Sequence, residues 1–396
     1  MGRLPATIAI LVIASLASPA AATDLFDSCA EAGASRYEPG YSGAADTAEY
    51  DYYTAMEMCA LALAESPDDV HVQSWLGVAY VHDGQAEKAV PLLEAAASTG
   101  NVVGQRALGD LLILGKGIKR DAARGIDLLR LSGDAGFAPA ALSLAYSYEF
   151  GDGVERDDVL ATEWYQRAAS AGMPRAQVLL ARNLTEGRGA ARDEAAAFRL
   201  LDSAAAAGDR EAQYRLGVAL LEGRGVAADP AGAAAAFASS ADQYYAPGLV
   251  ALGYVTELGV GVEANLDDAE QFYENGRSAN SAIGKHNLAR LREESDPPGA
   301  RQLYLEAARA GEIRAAVNLA LMMLDGAGGP RDITGALEWT RKAADAGLAS
   351  ALNNLGRFYE LGLAVDADTA QARELYGRAA ALGYQPAVDN LARLGG

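Results

Sequence analysis

Residues 141–172, ALSLAYSYEFGDGVERDDVLATEWYQRAASAG, carry the pattern that decides the fold. Ala141, Leu144, Ala145 and Tyr148 recur at the spacing of one apolar helix face. Gly151-Asp-Gly153 then breaks the helix with residues suited to unusual backbone angles. Asp157 follows as the expected N-cap of a second helix, because its side-chain oxygen can accept from an orphan amide in the first turn. That second helix carries the bulky pair Trp164-Tyr165 and the small pair Ala168-Ala169. Gly172 closes it, at a position where a left-handed backbone costs glycine least.

The same pattern recurs along the chain. A Leu followed by Gly or Ala stands at Leu76, Leu108, Leu144, Leu180, Leu216, Leu252, Leu288, Leu319, Leu355 and Leu391, with a dominant spacing of 36 residues. Gly-x-Gly connectors follow at Gly115, Gly187, Gly223, Gly259 and Gly326 as well as at Gly151, and the N-cap position reads Asp121, Asp193, Asp229, Asn265, Asp332 and Asp368. Asp296-Pro297 fills the one apparent gap, in a unit five residues short, and the missing residues are expected to come from its connector. Gly208, Gly311, Gly347 and Gly383 repeat the role of Gly172. A period of this size means a repeat architecture. The expected fold is therefore all-α, an α/α superhelical solenoid, and not the two or three globular domains that 396 residues would otherwise suggest.

Taken together, Ala-x-x-x-Leu-Gly, Tyr, Gly-x-Gly-Val, Asp, Trp-Tyr, Ala-Ala and Gly resemble the Sel1-like repeat, a relative of the tetratricopeptide repeat. The resemblance covers residues 103–396, about eight units and a C-terminal half-unit. Residues 70–102, with Leu76-Gly77, Tyr80 and the short turn at Gly84, look more like an ordinary tetratricopeptide unit. The resemblance implies stacked antiparallel helix pairs in a right-handed superhelix, and a role in protein–protein interaction.

Residues 1–22 read as a secretory signal: Arg3 supplies the charge, Ala6 to Leu16 the apolar run, and Ala20-Ala21-Ala22 the small residues before a cleavage point at Thr23. The expected location is periplasmic or secreted. Cys29 and Cys59 are the only two cysteines. An oxidising compartment favours one disulfide between them, tying down an N-terminal cap of residues 23–69, with two buried free thiols as the alternative. Tyr37, Tyr41, Tyr50, Tyr52 and Tyr53 are expected to pack that cap, although Tyr is also a frequent interface anchor. Lys plus Arg total 33 against 53 Asp plus Glu, so nucleic acid is not an expected partner. No stretch after the leader approaches the roughly 20 apolar residues of a membrane span, so no membrane insertion is expected.

Catalytic patterns are sparse. The Gly-x-Gly connectors lack a preceding strand and a Walker Lys-Ser/Thr, so phosphate binding is not expected. His71, His82 and His286 are scattered, with no zinc-binding spacing and no cofactor expected. Neither a Gly-x-Ser-x-Gly elbow nor the Ser-x-x-Lys motif of penicillin-binding enzymes occurs.

The candidate site lies instead on the first helices. Asn287, Asn318, Asn354 and Asn390 directly precede the repeat Leu, and Arg290, Leu321, Arg357 and Arg393 stand three residues further on. Residues i and i+3 share a helix face. Asn287, Arg290, Asn318, Asn354, Arg357, Asn390 and Arg393 are thus the expected peptide-binding residues of a concave face. The competing reading is structural, with Asn bonding to neighbouring backbone. The function expected is a non-catalytic exported scaffold or regulator that binds a peptide or loop of a cell-envelope protein. The alternatives are a secreted penicillin-binding or β-lactamase-like enzyme and a cell-wall glycan-binding protein.

Overall fold

The computed structural model describes residues 19–41, 43 and 50–395. Of the expected leader, residues 1–18 lie outside the described residues. Among the described residues every regular element is a helix. The chain divides into two units, residues 1–200 and 201–396.

The first unit opens with α1 (Pro19–Gly33) and α2 (Tyr52–Glu65), followed by the pairs α3 (Val70–His82) and α4 (Ala86–Ser98), α5 (Val102–Leu114) and α6 (Ala122–Asp134), and α7 (Ala138–Phe150) and α8 (Asp158–Ser170). Then comes α9 (Pro174–Glu186), and the boundary between the units falls within α10 (Glu194–Ala206). The second unit continues with α11 (Arg210–Glu222) and α12 (Pro230–Asp242), α13 (Ala246–Leu258) and α14 (Leu266–Ser278), and α15 (Ala282–Arg292) and α16 (Pro297–Arg309). It ends with α17 (Ile313–Asp325) and α18 (Ile333–Asp345), α19 (Ala349–Leu361) and α20 (Thr369–Ala381), and α21 (Gln385–Arg393). Within each unit, first helices pack on their second helices and on the neighbouring pair, giving a stack whose contacts are nearest-neighbour in character.

Local chemistry sets these boundaries. Asp121, Asp157, Asp193, Asp229, Asn265, Asp296, Asp332 and Asp368 all accept from backbone amides in the first turn of the helix that follows, as N-caps should. First helices end on a left-handed glycine such as Gly259 (φ 69°) or Gly362 (φ 64°). The second connector glycine is required for space as well: a Cβ on Gly189 would lie 1.8 Å from the carbonyl oxygen of Asp158. Ala364 takes that place in the last connector and still adopts φ 53°. In the same way Tyr244 (φ 53°) and Asn280 (φ 60°) occupy the turn position that Gly172 and Gly208 fill elsewhere.

One expectation is corrected. The five-residue deletion does not fall wholly in the connector, because α15 has 11 residues where α13 and α17 have 13. Glu293, two residues short of the place where a left-handed glycine ends the other first helices, already caps α15; its backbone stays right-handed, at φ −55°, ψ −39°, and the chain turns directly into Asp296.

The Leu-Gly step has a packing cause. A Cβ on Gly253 would approach Tyr273 to 2.7 Å, and one on Gly356 would approach Tyr376 to 2.7 Å, so glycine makes room for a ring from the second helix. Tyr165, Tyr273, Tyr304 and Tyr376 are fully buried at this position. At the N-terminus Cys29 and Cys59 are joined by a disulfide and lie in one cluster with Trp75, Leu93 and Leu108. Tyr41 packs edge-on to Trp75, and Tyr37 packs against the same cluster. Tyr50 and Tyr52 flank His82, while Tyr53 is largely exposed.

Candidate functional site: the first-helix face

Asn287 and Arg290 lie on α15, Asn318 on α17, Asn354 and Arg357 on α19, and Asn390 and Arg393 on α21, all within the second unit. The four Asn side chains are half-buried and the three Arg side chains are exposed. Asn318 Nδ2 donates to the Tyr304 hydroxyl at 3.1 Å, and Asn390 Nδ2 donates to Asn353 Oδ1 at 2.8 Å. Asn354 Oδ1 accepts from Asn353 Nδ2 at 3.5 Å, so three of the four amides serve the protein's own framework through side chains, and not through the backbone bonds that sequence suggests.

The arginines are distinguished by what they meet. Arg290 Nη2 reaches back one repeat to the Glu257 carboxylate at 2.5 Å, and that carboxylate also accepts from the Tyr273 hydroxyl at 2.8 Å. Arg393 reaches Glu360 with two nitrogens, at 2.6 and 2.8 Å, and Tyr376 donates to Glu360 at 2.7 Å. In the first unit Arg182 and Tyr165 hold Glu149 in the same way, joined by Arg188 at 2.9 Å. Each is a latch: a Glu at the end of a first helix, a buried Tyr from its second helix, and an Arg from the next first helix. Charge-assisted bonds of this kind are the stronger class.

The electrostatics follow. The Arg393 guanidinium, helped by Tyr376, pulls the Glu360 carboxyl down to about 2. Burial tends to raise Glu149, yet the Tyr165 and Arg182 bonds outweigh it and leave the carboxyl below its usual range. Burial, then the neighbouring carboxylate, raises the phenols of Tyr165, Tyr273, Tyr304 and Tyr376, so they remain donors. These latches were missed in sequence because Glu, Tyr and Arg are 16 and 33 residues apart. The one available signal is their joint occurrence at those offsets.

The full set occurs in those three repeats alone among the described residues: Thr185, Leu201 and Val218, like Leu221, Phe237 and Tyr254, replace all three members, and two adjacent repeats of the second unit keep only part of it. Glu293 keeps its bond from Tyr304, but Leu321 stands where the Arg would be. In the next repeat Arg357 is present, while Leu324 and Thr340 replace the Glu and the Tyr. Among the described residues Arg357 makes no ion pair or hydrogen bond. No group of His, Cys, Asp and Glu among the described residues could hold a metal ion, and no described helix is long and apolar enough to cross a membrane.

Capped helix pairs, left-handed glycine connectors and nearest-neighbour packing define an α/α repeat protein of the tetratricopeptide-like class. The Sel1 repeat model matches residues 102–137, 138–173, 174–209, 210–243, 246–281, 286–312, 313–348 and 349–384, more than half of the sequence. The chain belongs to the Sel1 repeat family. It is similar to the crystal structure of a protective antigen present in uropathogenic Escherichia coli strains displaying an SLR fold, with 29% identity, a TM-score of 0.75, and 91% of this chain and 78% of that one covered. A Sel1 repeat protein from Oxalobacter formigenes is similar at 27% identity and a TM-score of 0.60, over 76% of this chain and 90% of that one. No curated protein matches this chain. Sel1 repeat proteins are generally protein-interaction scaffolds, typically without catalytic function.

Proposed function

We propose that this chain is a non-catalytic scaffold or regulator, exported to the periplasm or beyond, that binds a peptide or loop of a cell-envelope protein along its first-helix face. Asn287, Arg290, Asn318, Asn354, Arg357, Asn390 and Arg393 form the binding row. The observation that carries the reading is their placement at equivalent positions of α15, α17, α19 and α21, which puts an amide on each of four successive first helices and a guanidinium on three of them. A rigid stack of this kind pays little ordering cost on binding an extended segment. The Cys29–Cys59 disulfide and the apolar run from Ala6 to Leu16 support export. The cap of residues 23–69, the unit at 70–102 and the repeats at 103–396 then divide the labour between anchoring and display.

Photo-crosslinking in the native host tests this. A crosslinker at Asn287, Arg357 or Asn390 is expected to capture one envelope protein, while the same group at Glu338 or Glu374, exposed on second helices, captures none. Capture from the second-helix positions alone would overturn the assignment of the face.

A further inference from the structure

The two broken latches leave a notch between α17 and α19, walled by Leu321, Leu324, Thr340 and Leu361 and rimmed by Asn354 and Arg357. Its position is explained by the residues that are missing. Thr340 stands where the adjoining repeats carry Tyr304 and Tyr376, and Leu324 stands where they carry Glu293 and Glu360. The space that a ring and a carboxylate occupy elsewhere is partly vacated here. The recess is shallow and open to solvent, with about 20 Å³ of space for the centre of a water-sized group, room for a water or the tip of an aliphatic side chain.

The groups around the notch set what it can take. Thr340 donates its hydroxyl to the Ala336 carbonyl at 2.7 Å, so it offers no donor to a ligand. Arg357 is exposed, and Glu360, a carboxylate on which its charge acts, is already held by Arg393 and Tyr376. A cation with no acceptor of its own thus stands beside an apolar recess in a chain of formal charge −20. Such a site favours a single carboxylate attached to an aliphatic group.

We infer that this notch is a docking site for a peptide segment that carries an acidic side chain beside an aliphatic one, and that the ligand completes the latch in trans. The ligand carboxylate takes the place of the missing Glu on Arg357, with the Asn354 amide beside it, and the aliphatic side chain fills the recess at Leu321, Leu324 and Leu361. The inference rests on the peptide-binding reading above and narrows it to one anchor point and one ligand chemistry.

The test selects phage-displayed random decapeptides on the immobilised full chain, then measures the enriched peptides by calorimetry. The expected pool shares an Asp or Glu next to Val, Leu or Ile. Affinity is expected to fall at least tenfold in Arg357→Gln, and to survive amidation of the peptide C-terminus. A second variant, Leu324→Glu with Thr340→Tyr, rebuilds the latch within the chain; it is expected to melt no lower than wild type and yet lose binding. No enrichment, enrichment without an acidic residue, or affinity unchanged in both variants would overturn the inference. Peptides insensitive to both variants that still crosslink at Asn287 or Asn390 would remove the notch while leaving the wider face standing.

Discussion

Replacing Glu360 with Gln removes one charge from a latch whose geometry is fully specified. Glu360 accepts two bonds from Arg393 and one from the buried Tyr376, and its carboxyl lies at about 2 in the folded chain. Against an ordinary Glu value of about 4.3, a lowering of that size corresponds to at most about 3 kcal/mol. Arg393 is half exposed, so solvent screening reduces this to about 1–2 kcal/mol. Gln still offers Tyr376 an acceptor, and the loss therefore falls on the contact between α21 and the preceding repeat. Because repeat stability is local, the assay is amide hydrogen exchange of residues 385–393, where 1–2 kcal/mol means roughly 5–30-fold faster opening at pH 7. The folded carboxyl is depressed, so its contribution is present above about pH 4.3 and is lost as pH falls through about 2. The difference between wild type and Glu360→Gln should shrink over the same window. Equal exchange in the two proteins at neutral pH would refute the latch, and so would a difference that stays constant down to pH 2.

Tyr244→Gly and Ala364→Gly should each stabilise the chain by about 1 kcal/mol, seen as a higher melting temperature, because both residues hold a left-handed backbone at the cost of a Cβ. Asn280→Gly is the control and should change little, since Asn tolerates that region. His286 is buried against Tyr304, and burial, followed by the Arg314 charge, lowers its pKa to about 4. It is therefore neutral when folded, and its share of stability, complete above about pH 6.5, is lost as pH falls through about 4. Urea midpoints of wild type should consequently drop more between pH 7 and pH 4 than those of His286→Leu; equal slopes would show that the ring protonates freely in place.

The residues differ in how far they could be read in advance. Asp121, Asp157 and Asp296 were legible as caps because the bond they make spans three residues. Gly172 and Gly208 were legible because a single backbone angle decides them, while Tyr244 and Asn280 at the same turn were not, since nothing in their side chains announces a left-handed position. The shortening of α15 was hidden for a related reason: Glu293 lacks a stop signal, and only the chain's return to Asp296 fixes where the helix ends. On the candidate face, Arg290, Arg357 and Arg393 look identical in sequence. Their differences come from residues one repeat away, Glu257, Leu324 and Glu360.

The sequence by itself determined the period, the helix pairs, their caps and the class of fold, because each rests on hydrogen bonds and backbone angles within a few residues. Tertiary structure alone decided which charges are spent and which are free. Stacking brings a Glu, a Tyr and an Arg from two repeats to one point, and where Leu324 and Thr340 interrupt that convergence, Arg357 is left beside an apolar notch with no partner among the described residues.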